Sequence, residues 1–432
     1  LAFNQGVFPI PSVTANFFPI LVKNKTLVPN TADTSVIVIS TTGNNIITLH
    51  KFNDHGNYDP AFGRGGKVQV SLTKPVLDMP KALYLPDGKI LVLIGSQPSP
   101  SNSDADILVV RLQANGALDN TFGTNGITTI DQITSYCSGT CSASPDNAKD
   151  MIYTADGKII VTGTLQGSAS NDYGAVFRLN ANGTKDASFG SGGIFTVFTA
   201  GWKITPVSIK EQGDKFLVSY NRWNPLTGVR TSNLVRYNIS NGSFDGTFQS
   251  IAIPQIAGSG GGSGVWGIVD ILVQQDRKIN VLCVSTTDAT GKPYVVRLQR
   301  KGAIDPVFGT NGITIIDTLS ILPAIDIDEI VLSHFANDLQ GRLNLVTSCN
   351  YSSTRDVLFT RLHIGALSGL IPPVANAGPD QGVCAGSTVS LGTPAIDGFD
   401  YSWTSIPAGY TSAIANPNVT VNNTTTYILS VT

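Results

Sequence analysis

The sequence predicts an all-β fold assembled from a repeating unit of about sixty residues, and three recurring features predict it. The first is Leu118-Asp119-Asn120-Thr121-Phe122-Gly123-Thr124-Asn125-Gly126-Ile127, which returns around Asp59 and Phe62, Asp186 and Phe189, Asp245 and Phe248, and Asp305 and Phe308. The Phe-to-Phe steps are 60, 67, 59 and 60 residues. The second is a tight-turn signature such as Asp156-Gly157-Lys158-Ile159, and the third is a strand that carries a base just before a hydrophobic residue, as in Arg178-Leu179.

Each unit reads as four short strands. In the third unit these are Asp150 to Tyr153, Lys158 to Gly163, Ala175 to Leu179 and Gly193 to Val197, with turns at Asp156-Gly157 and Asn182-Gly183. Glycine and aspartate tolerate the positive φ that such turns need, and the flanking β-branched and aromatic residues suit a pleated sheet. The hairpin recurs at Asp87-Gly88, Gly213-Asp214, Asp276-Arg277 and Gln340-Gly341, with a degenerate copy at Ala32-Asp33. The base recurs as Lys51, Arg111, Arg178, Arg236, Arg297 and Arg361, which makes six units. The sixth stops after Arg361-Leu362, whereas residues 1 to 10 resemble the missing tail of a repeat. A six-bladed β-propeller closed by the N-terminal segment accounts for both loose ends, because closure removes exposed sheet edges. Seven blades is the alternative, and it needs a unit that the sequence does not show.

The composition changes after Gly369, where Ile371-Pro372-Pro373 punctuates the chain. The expected organisation is a propeller over 1–369, a linker over 370–378 and a small immunoglobulin-like β-sandwich over 379–432. Alternating stretches at Thr388 to Leu391, Tyr401 to Thr404, Val419 to Val421 and Tyr427 to Val431 supply its strands, with Trp403 as the core residue.

Charged residues make up 13% of the chain and the net charge is −2, so the electrostatic attraction that drives phosphate-backbone binding is missing and nucleic acid is not an expected partner. No apolar run reaches the length of a membrane span. Five cysteines are present, and Cys137 and Cys141, in a loop of small residues, form a candidate local disulfide in preference to a metal site. Cys283 and Cys349 read as small buried hydrophobes, and Cys384 has no obvious partner.

The recurring charges, Arg111 with Asp119, Arg178 with Asp186 and Arg297 with Asp305, read as structural, because a catalytic group is needed once and a structural one in every repeat. Phe122, Phe189 and Phe308 are expected to pack between repeats. The histidines His50, His55, His334 and His363 have no metal-binding spacing, and no nucleophile elbow occurs. No cofactor is expected. Calcium is the one ion considered, at Asp104 and Asp106 or at Asp326, Asp328 and Glu329, though neither cluster follows an EF-hand pattern. The run from Ala257 to Gly264 lacks the lysine and helix of a phosphate loop and reads as a flexible connection.

The hairpin, the Val-x-Arg-Leu strand and the Leu-Asp-x-Thr-Phe-Gly tail together resemble the delta-60 repeat family of bacterial secreted and surface proteins, over roughly residues 1 to 365. The segment from Val374 to Gln381, with the threonine-rich Asn423 to Tyr427, is similar to the PKD or immunoglobulin-like modules of Bacteroidota surface proteins. These resemblances imply a chain secreted to the bacterial cell surface, type IX secretion, and partners among secretion or gliding components. The expectation is a non-enzymatic adhesion module that presents propeller loops to a glycan or protein. The alternatives are a secreted polysaccharide-active enzyme with its site at the propeller channel and a structural subunit of an envelope machine.

Overall fold

The computed structural model describes residues 20–23, 35–42, 45–53, 57–76, 80–96, 106–130, 147–166, 171–254, 267–274, 276–284, 293–316, 329–337, 343–351, 354–362, 375–395 and 400–431. Among them every regular element is a β-strand. The first sheet runs β1 (Ile20–Lys23), β2 (Val36–Thr42), β3 (Ile46–Phe52), β4 (Lys67–Ser71), and the second β5 (Lys81–Tyr84), β6 (Ile90–Ser96), β7 (Asp106–Leu112), β8 (Ile127–Ile130). The third is β9 (Asn147–Tyr153), β10 (Ile159–Gln166), β11 (Asp172–Leu179), β12 (Ile194–Val197). The fourth is β13 (Lys203–Gln212), β14 (Lys215–Trp223), β15 (Arg230–Asn238), β16 (Ile251–Ala252). A single parallel pair, Asp172 with Lys203, joins the third sheet to the fourth. β17 (Gly267–Val273), β18 (Ile279–Val284), β19 (Pro293–Leu298) and β20 (Ile313–Ile315) make a further four-stranded sheet. β21 (Glu329–Asn337), β22 (Leu343–Tyr351) and β23 (Thr354–Leu362) make a three-stranded one.

By its contacts the chain divides into two compact units, Leu1–Ile271 with Cys283–Ala289, and Leu272–Leu282 with Thr290–Thr432. In the first, the period of two along each strand feeds two separate cores. Ile90, Val92 and Ile94 of β6 join Ile37, Leu49 and Phe62 of the first sheet, whereas Leu91 and Leu93 join Met151, Ile159 and Val161 of the third. This is why β6 and β7 are buried along their whole length and read as continuous apolar runs. Ile160, Val176 and Phe189 then pack against Ile209, Phe216 and Tyr220 of the fourth sheet.

Within the second unit, β24 (Ser387–Ser390) pairs with β26 (Asn418–Val421), and β25 (Tyr401–Ile406) with β27 (Thr426–Val431). Trp403 is 1% exposed and packs on Val389, Leu391 and Val419. Its indole N–H donates to the Ile414 carbonyl at 3.0 Å, which removes the cost of burying that donor.

Candidate functional site

The repeated residues build a device that ties one sheet to the next. Arg111 Nε donates to Asp119 Oδ2 at 2.8 Å, and its guanidinium lies 4.5 Å from the centre of the Phe122 ring. Arg178 repeats this with Asp186 at 2.9 Å and Phe189 at 4.6 Å, and Arg297 with Asp305 at 2.8 Å and Phe308 at 4.4 Å. Arg111 also donates to the Ala181 carbonyl and Arg178 to the Ile239 carbonyl, both in the following sheet. The backbone adds a stitch at the same places: Gly63, Gly123 and Gly190 donate to the carbonyls of Asn115, Asn182 and Asn241. Burial alone would raise the pKa of Asp119, but hydrogen bonds from Thr121 and Lys89 and the charge of Arg111 hold it well below the usual carboxylate range. Asp186 is held down in the same way by Ser188, Lys158 and Arg178, against its burial.

A second group of polar residues lies on β9, β13 and β17, the first strands of three sheets, of which β9 and β13 run side by side. The Ser208 hydroxyl on β13 lies 2.9 Å from Asp150 Oδ2 on β9 and 2.7 Å from Asp270 Oδ1 on β17. Lys210 Nζ reaches Asp150 at 2.9 Å and Asp270 at 3.5 Å. Burial would raise Asp150, yet Lys210 and Lys81 keep it below its ordinary value, and the two carboxylates hold Lys210 above its own despite burial. Asp150 and Lys210 therefore carry charge at neutral pH.

The third group does not repeat, and it gathers at one end of the third and fourth sheets. Asp172, Lys203, Trp223 and Arg230 are consecutive cross-strand neighbours on β11, β13, β14 and β15. The connection from β12 to β13 folds over this end. Trp202 N donates to the Thr199 carbonyl at 3.1 Å, Gly201 N to Asn171 Oδ1 at 2.8 Å, and Asp172 N to the Trp202 carbonyl at 3.4 Å. Tyr173 and Phe198 stack with centroids 4.6 Å apart and planes 17° from parallel, and Phe198 remains 46% exposed. The Arg222 guanidinium lies 5.0 Å from the Trp202 ring centre and donates through Nη2 to Thr199 Oγ1 at 2.9 Å.

Two atoms at this end are shielded from solvent and have no hydrogen-bond partner, Asp172 Oδ1 and Arg222 Nε. Burial raises the pKa of Asp172 against the pull of Lys203, whose Nζ is 3.5 Å away. Unsatisfied buried polar atoms cost free energy, so two of them, on β11 and β14 at the end that also bears an exposed aromatic ring, mark this end as the candidate site. An exposed aromatic face with a guanidinium and hydrogen-bonding groups at the same end of the sheets suits a polar ring with an apolar face.

No group of histidine, cysteine or acidic residues suited to a metal occurs among the described residues. Asp106 is ion-paired with Lys74 at 2.6 Å, while Asp104, Asp326, Asp328 and the side chain of Glu329 lie outside the described residues. So do Cys137 and Cys141. Cys283 is a free, buried thiol and Cys384 a free, exposed one. No helix among the described residues is long and apolar enough to cross a membrane.

Residues 85–122 and 154–189 match the family described as a domain of unknown function (DUF5122) beta-propeller. The match assigns the β-propeller fold to these two segments. The two matched segments each hold a hairpin, the base-bearing strand and the Asp-to-Phe tail, so the match covers the device that ties the sheets together, and of the non-repeating end it includes Asn171, Asp172 and Tyr173. No curated protein matches the sequence. Among solved structures, the chain is similar to the endo-arabinase of Bacteroides thetaiotaomicron, at 13% identity, TM-score 0.37, and coverage of 67% of this chain and 95% of that one. It is also similar to a xylan beta-1,4-xylosidase of Bacillus halodurans (8% identity, TM-score 0.32, 96% and 94%) and a GH43_1 enzyme of Xanthomonas citri (11%, 0.34, 68% and 89%).

These neighbours correct one expectation. The expectation was a non-enzymatic module, with a polysaccharide-active enzyme as its alternative, and the solved structures similar to the chain include glycoside hydrolases. The absence of a contiguous motif does not decide the point, because this fold draws its polar groups from separate strands. Asp150, Ser208 and Asp270 meet although 58 and 62 residues separate the acids from the serine.

Proposed function

We propose that this protein is a carbohydrate-recognising β-propeller whose sugar lies across the end of the third and fourth blades. The observation that carries the reading is the stacked Tyr173–Phe198 pair, half-exposed at Phe198, at the end of β11 that also carries Asp172, one of whose carboxylate oxygens has no hydrogen-bond partner among the described residues. A pyranose ring offers C–H groups to an aromatic face and hydroxyls to a carboxylate at its rim, which is the combination this end supplies. The reading takes the chain as six blades over residues 1–369, closed by the N-terminal segment, with an immunoglobulin-like module over 379–432 and export to the cell surface. Affinity electrophoresis against a panel of plant and bacterial polysaccharides tests it. Retardation by at least one polysaccharide, abolished by Phe198→Ala with folding intact, is the expected result. Retardation that Phe198→Ala leaves unchanged would place the ligand elsewhere.

The enzymatic form of this reading is polysaccharide cleavage. It is favoured by Asp150 and Asp270, two carboxylates drawn onto one hydroxyl, since glycoside hydrolysis needs a carboxyl pair. Release of reducing ends from the bound polysaccharide, lost in Asp270→Asn, would support it. Binding without release leaves recognition as the function.

A further inference from the structure

We infer that the sugar held at this end is anionic, carrying a carboxylate or a sulfate ester, and that Arg222 selects it. The inference rests on the carbohydrate reading and names the class of sugar within it. The contrast among the arginines carries it. Arg111, Arg178, Arg236 and Arg297 are each matched to an aspartate of their own repeat, at 2.7 to 2.9 Å. Arg277 and Arg300 share Asp400. Arg222, half-buried, is matched to no carboxylate among the described residues. Its described contacts are one hydrogen bond to Thr199 and the face of Trp202.

The neighbouring acid does not supply the missing charge, because Asp172 faces Lys203. The register also sets Arg222 opposite Ile204 and Thr231, on the other face of the sheet from the row Asp172, Lys203 and Trp223. A guanidinium presents its donors in a planar fork that fits carboxylate and sulfate oxygens, and stacking on an indole fixes the plane of that fork in advance. Here Trp202 holds the plane, Thr199 pins one nitrogen, and Nε is already stripped of water with no acceptor in its place. Much of the desolvation that usually opposes an ion contact is thus already incurred in the free protein. The exposed Phe198 ring lies on the same connection as Thr199 and Trp202, so a sugar stacked there brings its charged substituent to the guanidinium.

Isothermal titration with three probes tests this: trigalacturonic acid, a sulfated glucan oligosaccharide and xylotriose. One of the two anionic probes is expected to bind at least about tenfold tighter than the neutral one, the worth of a charge-assisted hydrogen bond. Which of the two it is tells carboxylate from sulfate. Arg222→Gln should weaken the anionic probe by at least about tenfold more than it weakens xylotriose, removing the preference, and Arg222→Lys should restore part of it. Melting curves for each variant establish that it is folded. Neutral and anionic sugars bound equally, or Arg222→Gln weakening both alike, would overturn the inference and leave the carbohydrate reading standing. No binding of any sugar would overturn both.

Discussion

Arg178 and Asp186 lie 2.9 Å apart, Nε to Oδ2, and the same guanidinium reaches 3.0 Å across the blade boundary to the carbonyl of Ser240. One side chain thus closes a turn in its own blade and caps a turn in the next. Both partners are buried, at 3% and 6% exposure. Asp186→Ala would leave a guanidinium shielded from water without its counter-ion, a change that typically costs roughly 3–5 kcal/mol. Replacing Arg178 by Met and Asp186 by Leu together should cost less than the single change, because no charge is then stranded. Urea unfolding of the three variants measures the order.

Asp119 and Asp186 are both held well below the ordinary carboxylate range, and the sign of their linkage follows. A carboxylate with a depressed folded-state pKa contributes stability that is fully present above the unfolded value, near 3.9, and is lost as pH falls through the folded value. Asp59, Asp245 and Asp305 are shifted in the same direction. The blade contacts should therefore loosen together below about pH 4. Urea midpoints are expected to be flat between pH 6 and 8 and to fall steeply between pH 4 and 2. A midpoint that is flat down to pH 2 would mean that the ion pairs contribute little.

Gly183 has φ +84°, and a Cβ placed on it would come within 2.4 Å of Thr128 Oγ1 and 2.9 Å of Gly123 N in the preceding blade. Gly192, at φ +65°, would meet nothing within 4 Å. Gly192→Ala should cost about 1 kcal/mol, from backbone strain alone, and Gly183→Ala clearly more, since blades must part to admit the methyl group. Equal losses in thermal melts would show that the inter-blade contact at Gly183 is slack.

The parts of this molecule written once per repeat were legible in the sequence, because repetition separates them from chance. Phe122, Arg111 and Asp119 recur at one spacing, and the hairpins predicted from Asp87-Gly88 and Asp156-Gly157 join β5 to β6 and β9 to β10. The candidate site was not legible, for the complementary reason. Asp172, Phe198, Trp202 and Arg222 are scattered over fifty residues, and only the parallel bridge between Asp172 and Lys203 brings two blades into register there. One signal was available in advance: Trp202 and Trp223, two of the four tryptophans, match no position of the repeat. The Asp150–Ser208–Asp270 contact was hidden too, since aligned repeats show which positions are equivalent but not that a lysine two residues away will bridge them.

Asp172 offers the sharpest separation of a structural role from a functional one. Its pKa is raised by burial, so its ionised form is less favourable in the folded protein than in the unfolded chain. Any stability from this group is fully present below the ordinary carboxylate value and is lost as pH rises through the higher folded value. At pH 7 the wild-type protein carries that penalty, and Asp172→Asn removes it while keeping the shape of the side chain. Lys203 loses its partner in the variant, but at 26% side-chain exposure it keeps contact with water, so the loss is the smaller effect. Asp172→Asn should therefore melt higher than the wild type at pH 7 and at the same temperature near pH 3, where both side chains are neutral. It should also bind sugar more weakly, because an amide is a poorer acceptor for a ring hydroxyl than a carboxylate. Higher stability with weaker binding is the signature of a group retained for its ligand at the expense of the fold. A variant that melts lower at both pH values would make Asp172 a structural residue and remove it from the site.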